Sequence, residues 1–330
     1  MNSYFFGVTA PRIGLRATAI MLIVFGGAVA FAGGFPDRPI KFITGFGAGG
    51  PTDIVARALA KQLSDDVGQN VVVVNMVGAS GDIATQAVAN ADADGYTYLI
   101  GASPLAVNDV IHPDVPKFGK DIIGIAGIGA SANVLLVRPS LNVKTLAEFV
   151  QVAREKAGGI TCGTLGVASN SHLAAVTLAA RAGIKIVPVA YHGVPDATKD
   201  LLGGNIDARF AAVPETLGLI REGKLVALAV TGPQRSSWLP DVPTIAESGY
   251  PGFDVQLWTG VFARNGIPPG PMQVMTQAIK HATAGEGIQA ALRNQDIAPM
   301  NMGSEEFTAF VVREIARAKS LESVLKVEGN

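Results

Sequence analysis

In the first third of the chain, short apolar runs alternate with segments whose apolar residues recur at the spacing of a helix. Apolar strands are predicted at residues 40–43, 71–74 and 96–100, with a second helix at 82–89. The first helix is predicted from apolar positions that share one face: Ile54, Val55, Ala58, Leu59 and Leu63. This β-α-β-α-β order predicts parallel strands joined by right-handed crossovers. Four consecutive valines at 71–74 predict a strand buried on both faces of the sheet.

The middle of the chain opens with a different pattern. Residues 122–137 are rich in Gly and Ala and lack a helical period, which predicts one long strand or a pair of strands. Thr145 and Glu148 have the spacing of a capping box and predict a helix over 146–156. Further strands and helices are then predicted at 160–162, 172–182, 184–190 and 225–231.

Two more helix starts are indicated in the last third. Thr244 and Glu247 repeat the capping-box spacing. Ser304 precedes an amphipathic pattern and is predicted to cap the C-terminal helix.

The pattern contains two similar units, each made of a strand, a small-residue loop and a helix. They lie before and after the extended stretch at 122–137, so two α/β domains are predicted. Domain 1 is expected to comprise residues 33–133 and 229–330, and domain 2 residues 134–228. A pair of domains arranged in this way binds ligands in the cleft between them.

The two small-residue loops are the main physical clue to function. They lie at 45–50 and 163–171, and each leads into a predicted helix. A helix start presents unpaired N–H groups and partial positive charge, and glycine lets the backbone approach an anion closely. If both loops face one cleft, they could hold a carboxylate between two helix N-termini without an arginine. The alternative interpretation is two ordinary turns, in which Gly and Ser serve turn geometry.

The first 32 residues have the pattern of an export signal. Arg12 and Arg16 precede an uncharged, apolar stretch at 17–32, which ends in Ala30-Phe31-Ala32. This order predicts a signal peptide cleaved near Ala32 and an exported mature chain that is not embedded in the membrane. The alternative is an uncleaved anchor.

Composition excludes several classes of protein. The chain has 330 residues, of which 48% are hydrophobic, and a net charge of -1, which excludes a disordered chain. Lys and Arg number 26 against 27 Asp and Glu, so no nucleic-acid partner is expected. Cys162 is the single cysteine, which excludes an intramolecular disulfide and a cysteine-based zinc site.

Competing chemistries find weaker support in the sequence. The glycines at 45–50 resemble a dinucleotide-binding loop only loosely, because the next strand ends at Asn75 and not at an acidic residue. Ser169 and His172 are the candidates for an exported hydrolase, but their spacing matches no known catalytic requirement. No cofactor, metal ion or catalytic residue is therefore expected.

An ordered series of motifs gives a more specific indication. They run through most of the chain from Phe35 to Lys319, and the most distinctive is Leu-Pro-Asp-Val-Pro-Thr-Ile-Ala-Glu-Ser-Gly at 239–249. The others are Phe-Pro-Asp-Arg-Pro-Ile at 35–40, Ala-Gly-Gly-Pro-Thr-Asp at 48–53, Asp-Gly-Tyr-Thr at 94–97, Ser-Asn-Ser-His-Leu at 169–173 and Asp-Leu-Leu-Gly-Gly-Asn-Ile-Asp at 200–207. With these motifs the chain resembles the substrate-binding proteins of tripartite tricarboxylate transporters, the Bug (Bordetella uptake gene) receptor family.

The resemblance implies a fold and a set of ligand-binding residues. The implied fold is a two-domain periplasmic binding protein of type II-like architecture, with mainly parallel sheets, helices on both faces and a ligand cleft between the domains. The implied ligand-binding residues are Phe46, Ala48, Gly49, Thr52, Ser103, Thr164, Val167, Ser169, Asn170, Ser171, Tyr191 and Ala211. Asp53 is expected to cap its helix and not to contact the ligand, because a carboxylate repels an anion.

The resemblance also implies a ligand class and partners. The expected ligand is a small di-, tri- or aromatic carboxylate, and the expected partners are membrane subunits of a tripartite tricarboxylate-type transporter. Ala211 and Ala212 stand where the family often has a polar residue, which favours an aromatic or aliphatic carboxylate over a tricarboxylate. A monomer in the periplasm is expected. The alternatives are the hydrolase and a receptor that serves signalling without transport.

Overall fold

The structure is a computed structural model that describes residues 1–4, 7 and 34–327. The chain divides into two compact units, Met1–Gly34 and Phe35–Asn330. The described residues of the first unit have neither helix nor strand. The predicted export signal and its cleavage point near Ala32 lie outside the described residues. Within the described part of the chain, no helix has both the length and the apolar character needed to cross a bilayer.

Strands and helices alternate along most of the second unit. The strands are β1 Ile40–Thr44, β2 Val71–Asn75, β3 Thr97–Ala102, β4 Ile122–Val137, β5 Ile160–Thr164, β6 Ile186–Ala190, β7 Ala208–Ala212, β8 Val226–Val230, β9 Gln256–Arg264 and β10 Ala298–Met302. The helices are α1 Pro51–Val67, α2 Asp82–Ala89, α3 Pro104–Ile111, α4 Leu146–Glu155, α5 Asn170–Ala182, α6 Val194–Gly203, α7 Val213–Arg221, α8 Pro269–Ala284, α9 Glu286–Arg293, α10 Ser304–Ser320 and α11 Glu322–Val327.

A single long strand, β4, joins two halves of the sheet. The strand order is β2-β1-β3-β9-β4-β7-β5-β6, and β10 and β8 also pair with β4. Residues 122–132 of β4 pair with β9, and residues 133–137 pair with β7. We call the strands on either side of this change the first half-sheet (β2, β1, β3, β9, β10) and the second half-sheet (β8, β7, β5, β6).

The α/β fold class predicted from the sequence is confirmed, and the sheet is mixed. Parallel pairing holds for β1 with β2 and β3, and for β5 with β6 and β7. Antiparallel pairing joins β9 to β3, and it joins β4 to β7, β8 and β9 at the junction. The long strand β4 runs through both halves of the sheet. The strands that bring the chain back to the junction therefore run in the direction opposite to β4.

Helices cover both faces of the first half-sheet. On one face, α1, α8 and α9 bury apolar residues against β1 and β3: Leu59, Leu63, Met275, Ile279 and Ile288. On the other face, α2 and α10 do the same: Ala84, Val88, Phe307 and Val311. Two further clusters fill the second half-sheet.

The domain limits stay a prediction. The partner change of β4 falls between residues 132 and 133. On the way back, β8 still pairs with the second half of β4, and β9 pairs with the first half from Gln256 onward. The return to the first half-sheet therefore occupies the connection at 231–255.

The expectation of a doubly buried strand at 71–74 is wrong. This segment forms β2, which lies at the edge of the sheet beside β1. Val72 and Val74 are 47% and 38% exposed. An apolar run can form an edge strand as well as a central one, because β-branched residues favour extended backbone in either place.

Two of the predicted helix caps also differ in the structure. Gly303, and not Ser304, is the N-cap of α10, and the Ser304 hydroxyl donates to the Gly124 carbonyl at 2.6 Å. Thr244 and Glu247 make both capping-box hydrogen bonds, at 2.9 and 2.7 Å, but the residues that follow form only turns. The box at Thr145 and Glu148 is confirmed and opens α4.

The ring of Phe307 on α10 packs against glycines of β4 and β9. A Cβ at Gly124 or Gly127 would lie 3.0 or 2.8 Å from ring atoms of Phe307. A Cβ at Gly260 would overlap the same ring and lie 2.8 Å from the Ala126 carbonyl oxygen. The small residues at 122–137 therefore create the space that the C-terminal helix fills.

Substitution of Gly260 tests this packing. We expect Gly260→Ala to lower the free energy of unfolding by about 2 kcal/mol, because the added methyl group overpacks a rigid core. Urea unfolding followed by circular dichroism measures the change. Gly287→Ala is the matched control, since no atom lies within 4 Å of a Cβ there, and it should leave stability unchanged or raise it. Equal stability of both variants and the wild type would contradict the account.

Candidate functional site

The first loop, residues 45–50, connects β1 to α1. Its turn depends on Gly49, which has a positive φ of 79°, and on Pro51 at the first position of the helix. The backbone N–H of Gly49 donates to Asp53 Oδ2 at 2.9 Å. Asp53 thus binds the loop that precedes its helix, and the N-cap itself is Gly50.

Asp53, itself buried, is also the centre of a polar cluster. Its carboxylate accepts from Arg57 Nε at 2.8 Å and from Asn75 Nδ2 at 2.8 Å. Burial opposes the charge, but the hydrogen bonds from Arg57, Gly49 and Asn75 outweigh it and lower the pKa of Asp53 to about 2. Asn75 also donates to the Phe46 carbonyl at 2.9 Å. The end of β2 therefore fixes the first loop, a role that the sequence analysis missed.

A turn at residues 78–81 packs against the first loop. All four of its residues have positive φ, including the non-glycine residues Ala79 and Ser80, at 45° and 50°. A methyl group on Gly45 would overlap the Cα of Gly81, so the two backbones touch. Strained backbone of this kind persists only where surrounding contacts impose it.

The second loop, which connects β5 to α5, is held together by its own side chains. Ser169 is the N-cap of α5 and accepts from the His172 backbone N–H at 3.2 Å. Ser171 Oγ accepts from the Leu165 N–H at 3.1 Å and lies 3.0 Å from Ser169 Oγ. Ala168 adopts a left-handed φ of 68°, which adds strain to the loop.

Asn170 brings the start of α5 against the start of β9. With its amide oriented to match its surroundings, Asn170 donates to the Gln256 carbonyl at 3.1 Å and accepts from the Leu257 N–H at 3.2 Å. Asn170 was predicted as a ligand contact, and the structure places its amide on the backbone of β9.

Ser103 meets the same strand from the other side. Its backbone N–H donates to the Trp258 carbonyl at 3.1 Å, and Ala102 pairs with Thr259. Phe46 and Gly45 of the first loop line one cavity together with Ala102 and Leu105. Ser103 and Asn170 of the second loop thus meet the same segment of β9, residues 256–259, and the first loop borders the end of β3 beside it.

The strand directions explain this convergence. The carboxyl ends of β1 and β3 point toward the junction of β4, and so does the carboxyl end of β7, where Ala212 pairs with Asn133. β5 runs parallel to β7, so its following loop faces the same place. Ligands of open α/β sheets bind outside the carboxyl ends of strands, where the strand order changes direction.

Three buried hydroxyl groups stand at these strand ends without a partner among the described residues: Thr44 Oγ1 and, at two predicted site residues, Ser103 Oγ and Thr164 Oγ1. Ser103 is 5% exposed and Thr164 is 1% exposed. Among the described residues, neither Ser103 Oγ nor Thr164 Oγ1 has a hydrogen-bond partner. Such a group costs about 1–3 kcal/mol when it is buried unsatisfied. Ser103 follows β3 of the first half-sheet and is the N-cap of α3. Thr164 ends β5 of the second half-sheet and precedes the loop that leads to α5.

The remaining predicted site residues differ in accessibility. Ala48 and Gly49 are exposed, Phe46 and Val167 are half-buried, and Thr52 is buried at the first turn of α1. These assignments stay a prediction.

Tyr191 follows the edge strand β6 and is half-buried, and Ala211 lies on β7 of the second half-sheet. The Tyr191 hydroxyl donates to Asp200 Oδ2 at 2.7 Å, and Ala211 is 2% exposed within an apolar cluster. Neither offers a polar group to a ligand in this structure, and their role as ligand contacts stays a prediction.

The sequence analysis also missed Arg209, a buried arginine on β7. Its guanidinium donates to Thr198 Oγ1 at 2.7 Å and to Glu215 Oε1 at 2.6 Å. The side chain is 2% exposed, so its charge is neutralised inside the second half-sheet. The signal in the sequence was a single arginine among the apolar residues 208–213, a stretch for which no element was predicted.

The candidate groups for catalysis are poorly suited to it. Burial lowers the pKa of His172 to about 4, so its imidazole is a weak base at neutral pH. Burial raises the pKa of the Cys162 thiol to about 12, which keeps it protonated. The site offers hydroxyl and backbone donors at helix starts, an arrangement suited to holding an anion.

An α/β fold with its loops converging at a junction between two half-sheets defines a class. It is the class of the periplasmic solute-binding proteins, and solved members of that class share this fold. The family model described as "Tripartite tricarboxylate transporter family receptor" matches residues 55–326, so the chain belongs to that family. Its members are receptors that bind solutes in the periplasm. The resemblance inferred from the sequence motifs is thereby confirmed.

Three similar proteins illustrate the relationship. Protein BugT of Bordetella pertussis is 35% identical over 286 residues, covering 86% of this chain and 88% of BugT. MatC of Rhodopseudomonas palustris, solved with bound malate, has a TM-score of 0.72 and 27% identity, covering 87% of this chain and all of MatC (100%). An R. palustris protein solved with adipate has a TM-score of 0.74 and 29% identity, covering 88% of this chain and 98% of that protein.

The Asp53 cluster gives a prediction about pH. The folded-state pKa of about 2 lies below the ordinary value of 3.8, so the stabilisation is complete above about pH 5 and is lost as the pH falls from 4 toward 2. We expect Asp53→Asn to lower the free energy of unfolding by about 1–3 kcal/mol at pH 7. The gap to wild type should shrink below pH 4 in urea titrations at several pH values.

Asp65→Asn on the exposed side of the same helix is the control for Asp53→Asn and should change stability little at any pH. A gap for Asp53→Asn that is absent at pH 7, or that persists undiminished at pH 3, would refute this role of the cluster.

Proposed function

We propose that the chain captures a small carboxylate between its first and second loops and delivers it to a membrane transporter of the tripartite tricarboxylate type. The observation that carries the proposal is the pair of buried, unpartnered hydroxyls, Ser103 Oγ and Thr164 Oγ1. They stand at strand ends that converge on the same segment of β9.

A carboxylate suits these groups because it only accepts hydrogen bonds. Each of its oxygens can receive bonds from hydroxyls and from N–H groups of a helix start. The N-termini of α1, α3 and α5 add partial positive charge at the same place. Binding would satisfy groups whose burial is otherwise costly, so part of the affinity comes from removing that cost.

This mode of carboxylate binding does not require an arginine. Arg57 and Arg209, which lie in elements next to the site, are already paired: Arg57 with Asp53 at 2.8 Å and Arg209 with Glu215 at 2.6 Å. Recognition by neutral donors fits an anion that has to be released again, because a buried ion pair is costly to break.

Binding should also shift the protein between open and closed arrangements. The ligand makes its full set of contacts only when both loops reach it, so it stabilises the closed arrangement by those additional contacts. The connection at 231–255 and the junction within β4 are the places where such a movement would occur.

We further propose an aliphatic or aromatic carboxylate over a tricarboxylate. Ala211 and Ala212 at the end of β7 give no polar group for the additional carboxylate of a tricarboxylate, and the Tyr191 hydroxyl already binds Asp200. The neighbour solved with adipate supports an aliphatic acid, and the neighbour solved with malate shows that this fold also accepts a more polar one.

A carboxylate panel tests the proposed function. We expect at least one of adipate, benzoate, malate and citrate to raise the melting temperature, because a ligand at a hundredfold excess over its Kd stabilises by about 2.7 kcal/mol. Adipate- or benzoate-like acids should bind more tightly than citrate in calorimetry. Recovery of the acid unchanged separates a receptor from a hydrolase. No binding by any acid refutes the receptor, and citrate binding far more tightly than the others refutes the ligand class.

Removing one of the buried hydroxyls tests the site itself. Thr164→Val keeps the shape of the side chain and should leave the ligand-free melting temperature unchanged or raise it, because an unsatisfied polar group is removed. The affinity for the best acid of the panel should fall about tenfold.

Thr161→Val on the same strand is the matched control for Thr164→Val. Its hydroxyl bonds Asp207 at 2.8 and 3.0 Å, so this variant should melt earlier and keep its affinity. A Thr164→Val protein that melts earlier and binds normally would mean that Thr164 is structural.

A further inference from the structure

We propose that Glu314 on the C-terminal helix is a positioning residue for the carboxylate site. It holds the start of β9 in place by accepting a hydrogen bond from the Trp258 indole. The inference rests on the proposed function, because it concerns how the two loops are kept at the spacing that a carboxylate needs.

The start of β9 is the common support of both sides of the site. The Trp258 carbonyl accepts from the Ser103 N–H at 3.1 Å, and Gln256 and Leu257 contact the Asn170 amide at 3.1 and 3.2 Å. The distance between Ser103 and the second loop is therefore set by three consecutive residues of one strand.

Those three residues are held on their other side by α10. The Trp258 indole is completely buried, and its Nε1–H donates to Glu314 Oε2 at 3.2 Å. Arg317, one turn further along α10, donates both to the same Glu314 oxygen and to the Asp254 carbonyl. Glu314 and Arg317 thus fix the strand at residues 254 and 258.

The side chain of Asp254 extends this arrangement along the strand. Gln256 Nε2 donates to Asp254 Oδ1 at 2.8 Å, which links the residue held by Arg317 to the residue that faces Asn170. The side chains of Glu314 and Arg317 are 12% and 25% exposed, so the ion pair is shielded from solvent. A shielded, hydrogen-bonded pair is costly to disturb and is suited to holding a strand rigidly.

The packing around Trp258 gives α10 a firm grip on this point. Phe307 and Phe310 of α10 meet the indole edge-on, with ring centroids 6.0 and 5.7 Å away. The indole cannot rotate to a new partner in this setting, so loss of the Glu314 acceptor should shift the strand or leave the Nε1–H unsatisfied.

The experiment compares Glu314→Leu with Glu314→Gln, both in a Trp238→Phe background so that fluorescence reports Trp258 alone. Glutamine keeps an oxygen for the Trp258 Nε1–H and loses only the charge, whereas leucine loses the acceptor. Glu305→Leu, at an exposed position of the same helix, is the control. The probe is adipate or, if another acid of the panel binds wild type more tightly, that acid.

We expect Glu314→Leu to weaken binding of the probe about tenfold and to shift the Trp258 emission of the ligand-free protein. Glu314→Gln should bind within about threefold of wild type and keep the emission. The affinities are compared at a temperature where all variants are folded. A residue that affects only global stability would not produce a loss of affinity with leucine and its recovery with glutamine.

Three results would overturn the proposal. One is a Glu314→Leu protein that melts earlier but binds the probe as wild type does. Another is a Glu314→Gln protein that binds as poorly as the leucine variant, which would exclude the Trp258 hydrogen bond as the cause. The third is an unchanged Trp258 emission in Glu314→Leu, which would show that the helix does not hold the strand.

The proposal can still be tested if one variant does not fold or if no acid of the panel binds. If Glu314→Leu does not fold, Arg317→Met replaces it, with the same expected loss of affinity. If wild type binds no acid of the panel, the proposed function fails, and the emission of ligand-free Glu314→Leu alone decides whether α10 holds β9.

Discussion

One continuous strand constrains the architecture of this chain. β4 pairs with β9 over residues 122–132 and with β7 over residues 133–137, so the two half-sheets share a backbone at the place where the partner changes. Because the strand is not interrupted, the carboxyl ends of the strands on both sides are directed to that junction. Strand direction alone therefore directs the loops that follow β1, β3, β5 and β7 toward the junction, where the proposed site lies.

The proposed site relies mainly on backbone groups, which every chain possesses. Helix starts and small residues supply N–H groups, and Ser103 and Thr164 add two buried hydroxyls. Charged residues serve the framework: Asp53 holds the first loop, and Arg209 is neutralised within the second half-sheet. The neighbours solved with malate and with adipate share this fold although their ligands differ.

Local patterns in the sequence predicted most of the elements. The box at Thr145 and Glu148, the long strand at 122–137 and the helix at 82–89 depend on neighbouring residues and are confirmed. Long-range pairing accounts for the errors. Val72 lies on an edge strand because no further strand pairs with β2 in the described sheet, and nothing within the run of valines records that. Similarly, the role of Asn75 depends on a loop 29 residues away.

The packing of Phe307 into the glycines of β4 and β9 has a consequence for the order of folding. The first half-sheet pairs Tyr98 with Ala263, and its core is closed by a helix that begins at Ser304. A chain made from its N-terminus cannot complete this half until nearly all of it has been synthesised, and contacts so distant in sequence form slowly. The first half-sheet is therefore completed only when synthesis is nearly finished, whereas β4 and the strands of the second half-sheet, β5 to β8, are available earlier.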